Sequence, residues 1–238
     1  RKGDRTVLAI TRGFADALRI AYQHRPKLFV RRIELPEMLY ERVIEIDERV
    51  GAHGEVLMPL NVAQAERELR SAFEQGIRAC AIVLLHGYRF VDHEVQLAEL
   101  ARRVGFTQVS VSHQVSPLMK LVARGDTTVI DAYLSPVLRR YVDRVCAELP
   151  NVRVQFMQSS GGLVDAHGFQ GKDAILSGPA GGVVGAARAA ALAGFQKIIS
   201  FDMGGTSTDV AHYAGEYERA YEAEVAGVRL RAPIIQIH

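Results

Sequence analysis

The stretch SFDMGGTSTDV, residues 200–210, sets an acid at the end of an apolar run, then two glycines, three hydroxyl residues and a second acid. KIISFDMGG reads as a strand, so Asp202 lies at a sheet's edge, where open α/β sheets bind ligands. Gly204 and Gly205 carry no Cβ, which lets the backbone turn sharply and bring its N–H groups against an anion. Thr206, Ser207 and Thr208 add hydroxyl donors, and Asp209 stands where the next strand begins. Two carboxylates would repel a bare phosphate. With a divalent cation between acids and phosphates the set becomes coherent, because Mg²⁺ is usually held by one or two carboxylates and water. A second reading stays open, in which the stretch is a hairpin turn containing Gly-Gly with acids at its exposed ends.

The segment before that strand, GPAGGVVGAARAAALAG (residues 178–194), holds twelve Gly or Ala among seventeen residues. A glycine costs a helix interior up to about 1 kcal/mol against alanine. Five of them in one helix predict close backbone approach, as at a tight helix–helix crossing.

Elsewhere short apolar runs alternate with helical patterns, the mark of an α/β architecture. TVLAIT (6–11), RACAIVLLH (78–86), QVSVSH (108–113) and VRVQFMQ (152–158) read as strands. GFADALRIAYQ (13–23), a segment from Asn61 to Gly76 and DHEVQLAELARRVG (92–105) read as helices. Asn61 is the expected N-cap, with Gln64 in the reciprocal position. Period-2 alternation across 41–58 predicts a β-hairpin, Ser135-Pro136 a helix start, and Ala214-Gly215 the turn of a closing hairpin.

With 238 residues, 48% apolar and 24% charged, the composition is that of a globular chain with one large or two ordinary domains. A formal net charge of +2 and no basic run interleaved with aromatics argue against nucleic-acid binding. No apolar run reaches the length of a membrane span. Cys80 and Cys146 sit among apolar residues without zinc spacing, which predicts buried free thiols, a reducing compartment and a cytoplasmic location. The chain starts at Arg1 and enters a strand almost at once, as expected of an entry into the middle of a larger protein.

A small-residue helix opened by Gly-Pro-Ala, an apolar strand, Asp-x-Gly-Gly-Thr-x-x-Asp and a hairpin resemble, in that order, the actin, hexokinase and heat-shock chaperone ATPase superfamily. LLHGY, VARGDTTVIDAYLSP, FMQSSGGL, LSGPAGGVVGA, FDMGGTSTDVAHYAGEYE and YEAEVAGVRLRAP narrow the resemblance to the hydantoinase A/5-oxoprolinase family, nearest its 5-oxoprolinase branch. The resemblance implies a partial ribonuclease-H-like fold. Residues 1–196 would be the first domain without its own N-terminal phosphate loop, ending in a connecting helix at about 178–194. Residues 197–238 would open the second domain with its phosphate loop, and a glycine-rich nucleotide-binding segment would follow.

The same resemblance implies ATP-dependent opening of a cyclic amide, 5-oxoproline or a hydantoin, with ATP and Mg²⁺ as cofactors and a B-type partner, fused or separate. Asp202 and Asp209 would be the metal-linked catalytic acids, and Gly204, Gly205, Thr206, Ser207 and Thr208 the phosphate cradle. Gln158, Ser159, Ser160, Gly161 and Gly162 either line the lactam pocket or form a polar turn. Arg124 either faces a substrate carboxylate or pairs with Asp126. His86 is a structural histidine or a catalyst, and Ser177 a further cleft candidate. The alternatives in function are an ATP-dependent ketone carboxylase subunit and a non-enzymatic nucleotide-binding module.

Overall fold

Every residue of β1 (Thr6–Thr11) is buried, which requires a strand covered on both faces. The computed structural model that reveals this describes residues 3–22, 29, 31, 37–205, 208–225 and 227–238. The chain divides into two compact units, Arg1–Val137 with Glu224–Arg231, and Leu138–Ala223 with Ala232–His238.

In the first unit, β1 is followed by the short helix α1 (Ala17–Ile20), β2 (Arg42–Ile46), β3 (Arg49–Val50) and β4 (Val56–Met58). Next come α2 (Val62–Glu74), β5 (Ala79–Val83), α3 (Asp92–Val104), β6 (Gln108–Val111), α4 (Ser112–Val115) and α5 (Leu121–Glu148), whose residues from Leu138 onward belong to the second unit. Four strands form one sheet in the order β2-β1-β5-β6, with all its pairings parallel. Alternate residues fill two cores. Val7, Ala9, Cys80 and Ile82 pack with Leu69 of α2 and Leu97 of α3, while Leu8, Ile10, Ala81 and Val83 pack with Leu18, Val129 and Ala132. Strand order reverses between β1 and β5, so the crevice where parallel sheets take ligands lies at the carboxyl ends of those two strands.

The expected hairpin over 41–58 is corrected. β2 pairs in parallel with β1, and only β3 and β4 form an antiparallel ribbon. Period 2 reports that a strand has two faces, not which neighbour it takes, and Ile44 and Ile46 reach the main core only from within the sheet. Asn61 does cap α2, accepting from the Gln64 N–H at 3.1 Å. The reciprocal half of that motif is absent. Gln64 Nε2 donates instead to the Glu45 carbonyl at 2.8 Å, tying α2 to β2.

Ser135-Pro136 does not start a helix, because α5 runs through it for 28 residues. A proline inside a helix costs about 3 kcal/mol. Here the turns before it are buried, and Thr127 and Thr128 donate side-chain hydrogen bonds to the carbonyls four residues back. The strand expected at 108–113 also ends early, at Val111, where α4 begins.

The second unit contains β7 (Gln155–Met157), β8 (Leu163–Asp165), two single-turn 3-10 segments, α6 (Ser177–Leu192), β9 (Ile198–Met203) and β10 (Thr208–Tyr213). The short strands β11 (Arg219–Ala220) and β14 (Ile234–Ile235) complete it, while β12 (Ala223–Val225), apart from Ala223, and β13 (Val228–Leu230) belong to the first unit. β7 pairs with β8, β9 with β10 and β11 with β14, all antiparallel. The hairpin expected at Ala214-Gly215 reduces to one bridge, Tyr213 to Tyr217. Its strands take other partners: β12 lies beside β13, and His238 exchanges two backbone hydrogen bonds of 2.8 Å with Val210 on the outer edge of β10. Ala180, Val183 and Ala187, spaced three and four apart, bury one face of α6, and the first two meet Ala211 and Ile235. Among the described residues no helix is long and apolar enough to cross a membrane.

Candidate functional site

The β9–β10 ribbon places the acids singled out in the sequence directly opposite each other, Asp209 against Asp202 and Thr208 against Met203. Opposed residues of an antiparallel pair project to one side with Cβ atoms about 5 Å apart, and like charges there repel. Neither carboxylate has a hydrogen-bond or ion-pair partner among the described residues. Asp202 is exposed and Asp209 half-buried. Gly204 and Gly205 follow Asp202 at the ribbon's tip, and a Cβ on Gly205 would meet nothing within 4 Å. Thr206 and Ser207, expected in the phosphate cradle, lie outside the described residues.

The helix beside the ribbon corrects a second expectation. Among the described residues no main chain approaches the glycines of α6. A Cβ on Gly178 or Gly185 would meet nothing within 4 Å, and one on Gly182 would come to 3.6 Å from Asp202 Oδ2. Gly178, Gly182 and Gly185 thus form an exposed stripe without side chains, with the Asp202 carboxylate over its middle. No three His, Cys, Asp or Glu side chains group as a metal site among the described residues. Two facing acids with open space beside them fit Mg²⁺, whose remaining ligands are ordinarily water and phosphate oxygens.

Gln158 to Gly162 form the turn of the β7–β8 hairpin, closed by the Gln158 N–H donating to the Gly162 carbonyl at 2.8 Å. Ser159 is only 1% exposed. Its hydroxyl donates to the Asp173 carbonyl and accepts from the Leu176 N–H, and its carbonyl accepts from Ile235 N. These bonds tie the hairpin to the start of α6 and to β14. Gly161 has φ +83°, and a Cβ there would stand 2.6 Å from Ile235 Cδ1. Gln158, Ser160 and Gly162 stay outside the core. Ser177 is the first residue of α6.

Arg124 does not pair with Asp126. Asp126 binds Arg229 at 2.7 Å, and burial, opposed by that arginine, pushes its carboxyl up to about 6. Arg124 is fully enclosed, donating to Ser112 Oγ and to the carbonyls of Leu84 and Leu85. Burial lowers its pKa, with Glu94 opposing. His86 lies half-buried, its ring 6.3 Å from that of Tyr88.

Around Arg124 lies an assembly that sequence reasoning missed. Glu94 is fully buried and accepts four hydrogen bonds, from Leu84 N, Ser112 Oγ, His113 N and His113 Nδ1. The adjacent His93 sets Nδ1 2.8 Å from Glu48 Oε2, and Glu48 in turn accepts from Thr11 Oγ1. Thr11 Oγ1 itself accepts from Leu85 N at 3.0 Å. The whole network therefore hangs on the Leu84–Leu85 backbone, where β5 leaves the sheet. The available signal was positional: Thr11 ends a parallel strand, and Glu48, Ser112 and His113 each stand just past the carboxyl end of one.

Comparison with known proteins defines the class. A model described as the hydantoinase/oxoprolinase N-terminal region matches residues 1–105, and one described as hydantoinase/oxoprolinase matches residues 124–238. The chain belongs to the hydantoinase/oxoprolinase family. It is 40% identical to 5-oxoprolinase 1 of Arabidopsis thaliana across its whole length. It spans about a fifth of the length of such curated relatives, 21% in that case. Among solved structures, the ATP-dependent caprolactamase of Pseudomonas jessenii superposes with a TM-score of 0.83 at 27% identity, covering 99% of this chain and 36% of that one. A nucleotide-free acetone carboxylase shares the fold, with a TM-score of 0.85 at 22% identity over 99% of this chain and 36% of that one. The mixed α/β fold with a parallel sheet is thus the one these enzymes share.

Proposed function

We propose that the chain is part of an ATP-dependent cyclic amidohydrolase that opens 5-oxoproline or a hydantoin by phosphorylating the amide carbonyl oxygen. The observation that carries this is the unpartnered pair Asp202–Asp209, held face to face beside a glycine-rich turn. Kinship to 5-oxoprolinases and likeness to a caprolactamase support the choice of acceptor. An unstrained amide carbonyl is a poor electrophile, and a phosphoryl group on its oxygen makes that oxygen a good leaving group. Phosphoryl transfer asks the protein chiefly for positioning and charge neutralisation.

In this reading Asp202 and Asp209 would hold Mg²⁺, which would supply charge neutralisation for the phosphates. Gly204, Gly205, Thr206, Ser207 and Thr208 receive the phosphates, with the bare stripe of α6 leaving them room. Gln158, Ser160 and Gly162 are retained as weaker substrate contacts. The fold is read as actin-like, with ribonuclease-H-like domains meeting between residues 196 and 197. That boundary falls inside the second compact unit, as it would where a connecting helix packs on the strand that follows it. A B-type partner, fused or separate, and a cytoplasmic location complete the proposal.

The test uses the full-length protein with ATP and, in separate samples, 5-oxoproline, hydantoin or acetone. Phosphate release stimulated by a cyclic amide and not by acetone is the expected result. Stimulation by acetone alone, or by none of the three, overturns the proposal.

A further inference from the structure

The network on Leu84–Leu85 has two ends that nothing in the chain uses. A carboxylate only accepts hydrogen bonds, so Glu48 and Glu94 fix the proton of each partner imidazole on Nδ1 and leave Nε2 as the outer atom. Neither Nε2 has a partner among the described residues. The buried side-chain atoms there without a hydrogen bond are Ser116 Oγ, Arg124 Nε and Asp47 Oδ1, the last ion-paired with Arg12, and neither Nε2 is among them, so both open to the outside. His93 is nevertheless only 8% exposed, and the groups behind it, Thr11, Glu48, Glu94, Ser112 and Arg124, are buried.

Burying so many polar and ionised groups is costly, and hydrophobic residues of similar volume would often stabilise the fold as well or better. The network's position adds to the argument. It lies at the carboxyl ends of β1, β5 and β6, against the point where strand order reverses, the usual ligand crevice of a parallel sheet.

We propose that this crevice is an acid–base site in which His93 and His113, each oriented by a buried glutamate, handle the protons of amide-ring opening. The assignment rests on the cyclic-amide reading given above. Once the amide oxygen carries a phosphoryl group, water adds to the carbon, forming a C–O bond and passing a proton to one Nε2. The C–N bond then breaks with its electron pair going to the ring nitrogen, which takes a proton from the Nε2 of the other ring, the one that enters the cycle as imidazolium, and the two rings exchange roles through solvent before the next turnover. A linear amine and an acyl phosphate result, and a second water converts the latter to carboxylate and phosphate. Glu48 and Glu94 are positioning residues, since neither faces the substrate.

The experiment uses the full-length protein in two arms. In the first, diethyl pyrocarbonate labels the unaltered protein with and without 5-oxoproline, and peptide mass spectrometry reads each histidine. Labelling of His93 and His113 that falls at least about five-fold with 5-oxoproline present is expected from a site that covers both nitrogens. In the second, His93→Gln and His113→Gln are compared in amide-dependent phosphate release, with ATP binding followed in the same samples as the check on folding. A loss of about 100-fold or more in kcat/KM is expected, the scale of general acid–base catalysis. Glu48→Gln should lower the rate less and shift its pH profile. Unprotected histidines, or variants that bind ATP and keep near-normal amide-dependent turnover, overturn the acid–base site while leaving the cyclic-amide reading intact. An unaltered protein with no amide-dependent phosphate release overturns both.

Discussion

Glycine and aspartate carry the most information at the scale of single residues. Gly161 and Gly162 are neighbours in one turn, yet only the first is constrained, by φ +83° and by Ile235 and Val184 facing its missing Cβ. Gly161→Ala should lower the unfolding free energy by about 1–3 kcal/mol, through backbone strain and overpacking. Gly162→Ala, whose Cβ would come no nearer than 3.4 Å to a side-chain oxygen, should change it by less than about 1 kcal/mol. Urea unfolding of the two variants checks the difference. Asp126 gives a pH signature. Its folded-state pKa of about 6 lies above the ordinary 3.8, so the folded state holds the proton more tightly. Its stabilising contribution is present below pH 4, fades as pH rises through 6 and is gone above that, a swing of about 2–3 kcal/mol. Asp126→Asn should flatten that fall by the same amount in denaturation series between pH 4 and 8. Equal slopes in both proteins would contradict the assignment.

Elements were legible where their cause is local. Continuous burial of TVLAIT and ACAIV, the Asn61 cap and the glycine that ends α2 are all written in adjacent residues. What was not legible depends on partners distant in the chain. β2 takes β1 where a hairpin mate was expected, and α5 continues through Pro136, with buried turns before it. The histidine network draws on six separate segments, so no window of sequence contains it. The β9–β10 ribbon shows both situations. Its first strand and the acids flanking the glycine pair stand in adjacent residues, but its other face is bare, with Ile199, Phe201 and Met203 each at least 65% exposed. The 238-residue chain should therefore bind anilinonaphthalene sulfonate, and the double variant Phe201→Ser, Met203→Ser should lose most of that fluorescence. Unchanged dye binding in the variant would place the apolar surface elsewhere.

For the molecule as a whole, the family and the α/β class were readable because order and motifs agree along the chain. The direct pairing of Asp202 with Asp209, and the open stripe beside it, needed coordinates. The central claim is that this pair holds the metal–nucleotide complex. The direct measurement is a titration of the full-length protein and its Asp202→Asn variant with ATP at fixed Mg²⁺, followed by phosphate release with 5-oxoproline. The account predicts that the variant stays folded, loses Mg²⁺-dependent ATP affinity and turns over at least about 100-fold more slowly, the scale of lost electrostatic stabilisation at a reacting centre. Near-normal affinity and turnover in the variant would contradict it.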